Sequence, residues 1–311
     1  MPTAELMCLD GEIVPYADAR IHAFAGVVKY GCGVFEGIRA YWNDAAQELF
    51  VFRLPEHLER MRFGMKLMRF AEVYPRAYLA DCVLRLLRAN QLRANAHIRV
   101  IAYLGGDDEL VQTGPVGLIA GVVPRGSPRG VSEGVHVRVG SWARIADNAL
   151  PPRVKCTGNY VNNRAAELDA KRDGYDGVIM LTAAGKVSEG SGACLFIVRD
   201  GRLHTPDVAS DILESITRDT MIRIAPETVG AAAIERTVDR SELYACEEAF
   251  WCGSGQEVMP ILSVDRMPVG DGRIGPLTRA LQARYFEIVR GETADHAEWR
   301  TAVWSDARNT G

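Results

Sequence analysis

Between positions 124 and 130 the chain reads Pro-Arg-Gly-Ser-Pro-Arg-Gly. Proline fixes φ and removes a backbone donor, and glycine weakens any regular element that contains it. No helix or central strand is expected to run through such a stretch. The run therefore divides the chain into an N-terminal, smaller domain over residues 1–124, a linker over 125–132, and a C-terminal, larger domain over 133–311. A length of 311 residues accommodates two such domains.

Strand and helix patterns occur on both sides of the linker. ELFVFRL (48–54) is strand-like, and Pro55 suits the first turn of a helix. Leu58, Met61, Met65 and Met68 then recur at three- and four-residue spacing, which predicts one apolar helix face used for core packing. HIRVIAYL (97–104) and GLIAGVVP (117–124) read as strands, the second nearly all apolar and so buried. Beyond the linker, VHVRVGSWAR (135–144) alternates as a strand does. A helix is expected from Asn159 to about Arg172, ending near Gly174. GVIMLT and KVSEG form a hairpin around Ala183-Ala184-Gly185, and CLFIVRDGRLHTP forms another around Asp200-Gly201. Ser215 can cap a helix through Thr217, Arg218 and Met221, EEAFWCGS (247–254) is a strand, and PLTRALQARYFEIV (276–289) is an amphipathic helix. The fold class expected is α/β in the mixed, α+β sense.

A net charge of −4 offers no electrostatic case for binding nucleic acid or an anionic membrane surface, so any bound anion must be held locally. No apolar stretch approaches the roughly 20 residues needed to cross a bilayer. The N-terminal MPTAELMCLDGEIVPY carries acids where a signal peptide needs a basic start and an apolar run. The seven cysteines, Cys8, Cys32, Cys82, Cys156, Cys194, Cys246 and Cys252, contain no CxxC pair and are odd in number. That argues against a disulfide framework and against a zinc knuckle. The expectation is a cytoplasmic protein with no metal.

The segment Val154-Lys155-Cys156-Thr157-Gly158-Asn159-Tyr160 puts a lysine among apolar and small residues, between a strand-rich stretch and a helix start. Burial disfavours the charged ammonium, and this is how lysines become nucleophiles for Schiff bases; an exposed lysine beside a loop is the plainer alternative. YGCGVFEGIRAY (30–41), KCTGNYVNN (155–163), GKVSEGSGACLFIVRDGRLHTP (185–206), LESITRD (213–219) and CGSGQEVMPILSVD (252–265) follow one another along the chain. In order and spacing these five segments resemble the branched-chain aminotransferases, of the pyridoxal-phosphate group called fold type IV. The resemblance spans nearly the whole chain. It implies a two-domain enzyme that binds pyridoxal 5′-phosphate at the domain interface and works as a homodimer.

By the same resemblance, Lys155 carries the cofactor and Glu189 faces the pyridine nitrogen, where a carboxylate keeps the ring protonated as an electron sink. Tyr160 donates to the ring's phenolic oxygen. The phosphate is held by Arg60, by the backbone amides of Ile216 and Thr217 at a helix start, and by the Ser254 hydroxyl. Phe35, Gly37, Arg39 and Trp142 line the substrate pocket, and Tyr30 serves the dimer-related site. Arg99 holds the second carboxylate of 2-oxoglutarate or glutamate, a contact suited to a guanidinium fork. Arg144 and Arg153 receive no role.

Two departures bear on the substrate. His97, a substrate-side position, stands where the family commonly has tyrosine, and the loop 105–111 carries Asp107, Asp108 and Glu109 where the family is small and apolar. The reaction implied is ping-pong transfer between an amino acid, most simply a branched-chain L-amino acid, and a 2-oxo acid, with Lys155 as base and acid. The alternatives are an aminotransferase for D-amino acids or amines, a lyase such as one acting on aminodeoxychorismate, and a non-catalytic cofactor-binding protein.

Overall fold

The structure, a computed structural model, describes residues 4–107 and 109–305. The chain separates into two units. One holds the residues to Gly126, the short segment Val154–Gly158 and the residues from Glu287; the other holds Ser127–Arg153 and Asn159–Phe286. The break after Gly126 lies in the expected linker, but two assignments are corrected. Lys155 and the C-terminal segment, both expected in the C-terminal domain, belong to the first unit. The cause is long-range pairing that position along the chain does not reveal.

In the first unit, β1 (Leu6–Leu9), β2 (Glu12–Pro15), β3 (Gly33–Asn43), β4 (Glu48–Phe52), β5 (Ala96–Leu104) and β6 (Val116–Pro124) form a seven-stranded sheet with a short strand at Arg300–Ala302. The order is Arg300–Ala302, β4, β3, β5, β6, β1, β2, antiparallel throughout. Val154–Gly158 adds to it at the start of β3: Phe35 N donates to Lys155 O at 2.9 Å and Thr157 N to Gly33 O at 2.8 Å. Three helices belong to this unit, α1 (Gly26–Tyr30), α2 (Leu54–Leu67) and α3 (Arg76–Ala89). Proline stands at the first turn of α2, as expected, and Leu58, Met61 and Met65 are fully buried with Val34 and Ile38 of β3 in one core. Met68, just past the helix, is only partly buried.

The second unit contains β7 (Val135–Ala143), β8 (Gly177–Leu181), β9 (Val187–Gly190), β10 (Cys194–Arg199), β11 (Arg202–Thr205), β12 (Ile234–Glu235), β13 (Glu248–Gly253) and β14 (Glu257–Val264). They are ordered β12-β11-β10-β13-β14-β7-β8-β9, with Met267–Pro268 paired to β14 as the ninth strand. β7 runs parallel to both β8 and β14. Parallel neighbours need a crossover, and α5 (Tyr160–Arg172), preceded in the chain by the short α4 (Gly130–Glu133), lies between β7 and β8. α6 (Ile216–Val229) and α7 (Pro276–Arg290) complete the helices. Asp200 and Gly201 both have positive φ, 51° and 69°, the conformation that a two-residue hairpin turn requires. Among the described residues no helix is long and apolar enough to cross a membrane.

A buried carboxylate ties the C-terminal strand to the first unit. Glu48 Oε1 accepts from the backbone N–H groups of Leu49, Val303 and Trp304 at 2.9, 3.0 and 2.7 Å, and Oε2 from that of Ser305 at 2.8 Å. Burial works against the charge, but the N–H groups of Trp304, Ser305 and Leu49 outweigh it and hold the carboxyl below its usual range. A carboxyl whose folded pKa is lowered stabilises the fold above its unfolded pKa and loses that contribution as pH falls through the folded value. Glu48→Ala is expected to cost about 1–3 kcal/mol at pH 7, since the N–H groups lose their acceptor. In urea unfolding, the gap between wild type and variant should narrow below about pH 4; a gap independent of pH would refute the account.

Candidate active site

The segment carrying Lys155 runs antiparallel to β3, with Val34 opposite Cys156. Side chains alternate across a strand. Val34, Glu36 and Ile38 therefore share the face that α2 covers, whereas Phe35, Gly37 and Arg39 share the other. In the pairing of β3 with β5, Gly37 stands opposite Arg99 and Arg39 opposite His97. One face of this sheet thus collects Lys155, Phe35, Gly37, Arg39, His97 and Arg99. Lys155 Nζ lies 5.0 Å from the centre of the Phe35 ring and the Arg99 guanidinium carbon 4.8 Å from it. Arg39 is buried and donates to Arg125 O at 2.9 Å. A Cβ on Gly37 would stand 3.1 Å from His97 Cε1, so this glycine makes room for the imidazole. Burial, then the charges of Arg99, Arg39, Arg125 and Lys155, pull His97 down to about 3 and leave it neutral. Its Nδ1 is buried and has no hydrogen-bond partner among the described residues.

Arg60 reaches β3 from the helix-covered face and is not among that group. Its Nε donates to Glu36 Oε1 at 2.7 Å and its Nη2 to Glu36 Oε2 at 2.8 Å. His57, one helical turn earlier, meets Glu36 Oε2 through Nδ1 at 2.7 Å.

The second unit provides Glu189, on β9 and buried. Arg144, just past β7 and equally buried, donates from Nε to Glu189 Oε1 at 3.0 Å. Leu213 N donates to Oε2 at 3.2 Å, and the Cys194 thiol does so at 3.6 Å. Burial, with the Glu189 charge adding, pushes that thiol far up, so it remains a donor. Both oxygens of Glu189 therefore accept hydrogen bonds within the buried site. Arg144, given no role from the sequence, is its ionic partner, and its Nη1 is buried without a partner among the described residues. Forty-five residues separate the pair, so no local signal joins them.

Ser215 caps α6 in extended backbone, its hydroxyl accepting from Arg218 N at 3.3 Å. The amides of Ile216 and the buried Thr217 occupy the same first turn. The Arg218 side chain turns to Pro206 O and Glu235, at 2.8 and 2.7 Å. Ser254 directly follows the last residue of β13, and Tyr160 is the first residue of α5. Arg153 pairs with Glu214 at 3.0 Å. Trp142 is half exposed on β7, with Nε1 donating to Asp169 at 2.9 Å.

Tyr30 ends α1 and is exposed, beside the 105–111 loop: Gly26 N donates to Gly106 O at 2.9 Å and Lys29 Nζ to Asp107 O at 2.7 Å. In that loop Asp107 and Glu109 are exposed to solvent, and Asp108 lies outside the described residues.

The family profile of class IV amino-transferases matches residues 33–264. A probable branched-chain-amino-acid aminotransferase of Aquifex aeolicus is 36% identical over 299 residues, covering 95% of this chain and 96% of that one. The crystal structure of a branched-chain aminotransferase from Thermoproteus uzoniensis with norvaline superposes with a TM-score of 0.92 at 37% identity, over 97% of this chain and all of that one. A branched-chain amino acid aminotransferase from Thermobaculum terrenum, solved in its PLP-form, gives a TM-score of 0.90 at 37% identity, over 97% of this chain and 99% of that one. With a matching profile over most of its length and relatives covered nearly end to end, the chain belongs to the class IV aminotransferases, of fold type IV.

Proposed function

We propose that this protein is a pyridoxal 5′-phosphate-dependent branched-chain-amino-acid aminotransferase, moving an amino group from a branched-chain L-amino acid to a 2-oxo acid such as 2-oxoglutarate. The observation that carries the reading is the pairing of the Lys155 segment with β3, which sets the lysine on one sheet face with Phe35, Gly37, Arg39, His97 and Arg99. The Thermobaculum terrenum enzyme, a branched-chain aminotransferase solved with its pyridoxal phosphate, shares this fold.

The donor set suits the cofactor. Lys155 offers an amine for its carbonyl, and Glu189, with Arg144 behind it, a carboxylate for its ring nitrogen. Tyr160 offers a hydroxyl for the ring oxygen. The first-turn amides of Ile216 and Thr217, the Ser254 hydroxyl and the Arg60 guanidinium match a phosphate. Bound pyridoxal phosphate supplies the carbonyl that takes up the amino group and a protonated ring that draws off electrons. Lys155 Nζ removes the α-proton of the donor and returns it, serving as base and then acid. Glu189 would hold a proton on the ring nitrogen of the bound cofactor, its carboxylate oriented by the donation from Arg144 Nε to Oε1. Phe35 and Gly37 give an apolar surface on the sheet face that carries Lys155, while Arg99 favours the second carboxylate of the acceptor.

A second reading, transfer from polar donors or amines, has one observation behind it: His97 brings a neutral ring with a buried, unpartnered Nδ1 into this set. Asp107 and Glu109 of the 105–111 loop are exposed to solvent and give it no support.

The proposal includes a homodimer and a cytoplasmic enzyme; seven free cysteines accord with a reducing compartment. Phe24, Val28, Tyr30, Leu110 and Val111 are exposed on two segments joined by the Gly26–Gly106 hydrogen bond, an apolar patch of the kind that subunits bury.

With 2-oxoglutarate as acceptor, leucine, isoleucine and valine should be better donors than D-amino acids or simple amines. Lys155→Ala should lose both turnover and borohydride-fixed cofactor; full turnover in that variant would sink the mechanism. Arg144→Met is expected to lower kcat/KM about tenfold to a hundredfold, the worth of a hydrogen bond to a charged group, in steady-state assays on a variant whose unfolding midpoint is also recorded. Val111→Asp should shift the protein to monomer in sedimentation, and a dimer unchanged by it would place the subunit contact elsewhere.

A further inference from the structure

Glu36 occupies a position where the alternation of β3 calls for an apolar side chain. Its neighbours on that face, Val34 and Ile38, are fully buried in the core with Leu58, Met61 and Met65 of α2, and Glu36 itself has no exposure. A carboxylate at this depth is tolerated only when paired and hydrogen-bonded. Two partners come to it from α2, His57 and Arg60, three residues apart and so on one helical face.

The geometry goes beyond charge neutralisation. Two near-parallel contacts, Nε to Oε1 at 2.7 Å and Nη2 to Oε2 at 2.8 Å, fix the plane of the Arg60 guanidinium. They engage one edge of the fork, so the Nη1 hydrogens and the second Nη2 hydrogen face away from Glu36. His57 locks the carboxylate in turn. Burial above all, with the Arg60 and Lys155 charges adding, pulls the imidazole below its usual range although Glu36 pulls the other way. The neutral ring then carries its proton on Nδ1 and donates it to Oε2, since the carboxylate has none to give. Burial opposes ionisation of Glu36, but Arg60 and His57 outweigh it and hold the carboxyl well below its usual range. Replacing a buried ion pair by apolar residues is often neutral or stabilising. Stability alone therefore gives no account of a glutamate here.

We propose that Glu36 and His57 are positioning residues that hold the Arg60 guanidinium in one orientation, presenting its outer N–H groups to the phosphate of the cofactor. The inference rests on the assignment of Arg60 to the phosphate made above.

The test compares pyridoxal 5′-phosphate with pyridoxal, which keeps the carbonyl and ring but lacks the phosphate. Full-length protein is freed of cofactor and titrated with each, following the absorbance of the lysine-bound form. The ratio of the two Kd values reads what the phosphate contributes. Arg60→Ala should reduce this ratio about a hundredfold, as expected for a charge-assisted contact, and Glu36→Gln and His57→Phe about tenfold each, with pyridoxal affinity held within about threefold. In the double variant Glu36→Gln with Arg60→Ala, the loss should not exceed that of Arg60→Ala alone. If Arg60→Ala reduces the ratio while the Glu36 and His57 variants do not, the positioning role is overturned and the assignment of Arg60 stands. An unchanged ratio in Arg60→Ala overturns the assignment itself. Equal losses for both ligands mean a purely structural cluster and also overturn the inference. Should Glu36→Gln fail to fold, His57→Asn and His57→Gln carry the same comparison with the carboxylate intact.

Discussion

The pairing of Val154–Gly158 with the start of β3 is the constraint on which the arrangement of functional groups in the first unit depends. Phe35 N to Lys155 O and Thr157 N to Gly33 O are two backbone bonds, and Gly33 N returns a third contact to the Thr157 hydroxyl at 3.1 Å. They set the register, and the register decides which side chain points where. Val154 and Cys156 enter the core beneath α2, while Lys155 shares the other face with Phe35. A slip of one residue would bury the lysine among leucines and methionines and turn the valine outward. Gly31 and Gly33 permit the approach: a Cβ on either would come within 3.2 Å of Gly158 or of the Thr157 side chain.

The two faces of β3 then carry different chemistry from one alternating string, VFEGIRAY. Odd-numbered residues gather cations and a ring around a lysine. Glu36, at an even position, sends a carboxylate into a core and recruits a histidine and an arginine to neutralise it. The second unit repeats the device with other residues, Glu189 against Arg144, again with both side chains buried and the carboxylate accepting from two groups at Oε2. In each case the low dielectric makes an unpaired charge costly, so one partner dictates the position of the other.

Much of the fold was legible because its signals are local. The spacing of Leu58, Met61 and Met65 reports a helix face, Asp200-Gly201 a turn, and Ser215 a cap, and each depends on residues within a few positions. What was not legible depends on distance in the chain. Lys155 was expected in the C-terminal domain because its partners on β3 lie more than a hundred residues earlier. Nothing near Arg144 in sequence marks it as the partner of Glu189, 45 residues away. Glu36 did carry a signal, an acid in the apolar phase of a strand, but inside a recognised motif it read only as part of the string. The Arg300–Ala302 strand and its anchor Glu48 left no pattern at all, since the four amides that Glu48 accepts from belong to apolar or small residues.

The two departures from the family pattern come to have unequal weight. An acid matters to an apolar pocket only if it is desolvated there, and Asp107 and Glu109 are in water, so their charges are screened and impose little on a substrate. His97 is different. It faces Gly37 across a gap that a single methyl group would crowd, and burial and four surrounding cations keep it neutral. Tyrosine at this position would offer a hydroxyl at the end of a long ring, whereas imidazole offers a shorter reach and an Nδ1 that can donate or accept. Within a set that already contains Arg39 and Arg99, a neutral group with either polarity adds no further positive charge against an amine and no bulk against a branched side chain. It can also take part in binding a carboxylate. Under the proposed transamination, a neutral imidazole here is compatible both with an apolar amino acid and with a dicarboxylic acceptor.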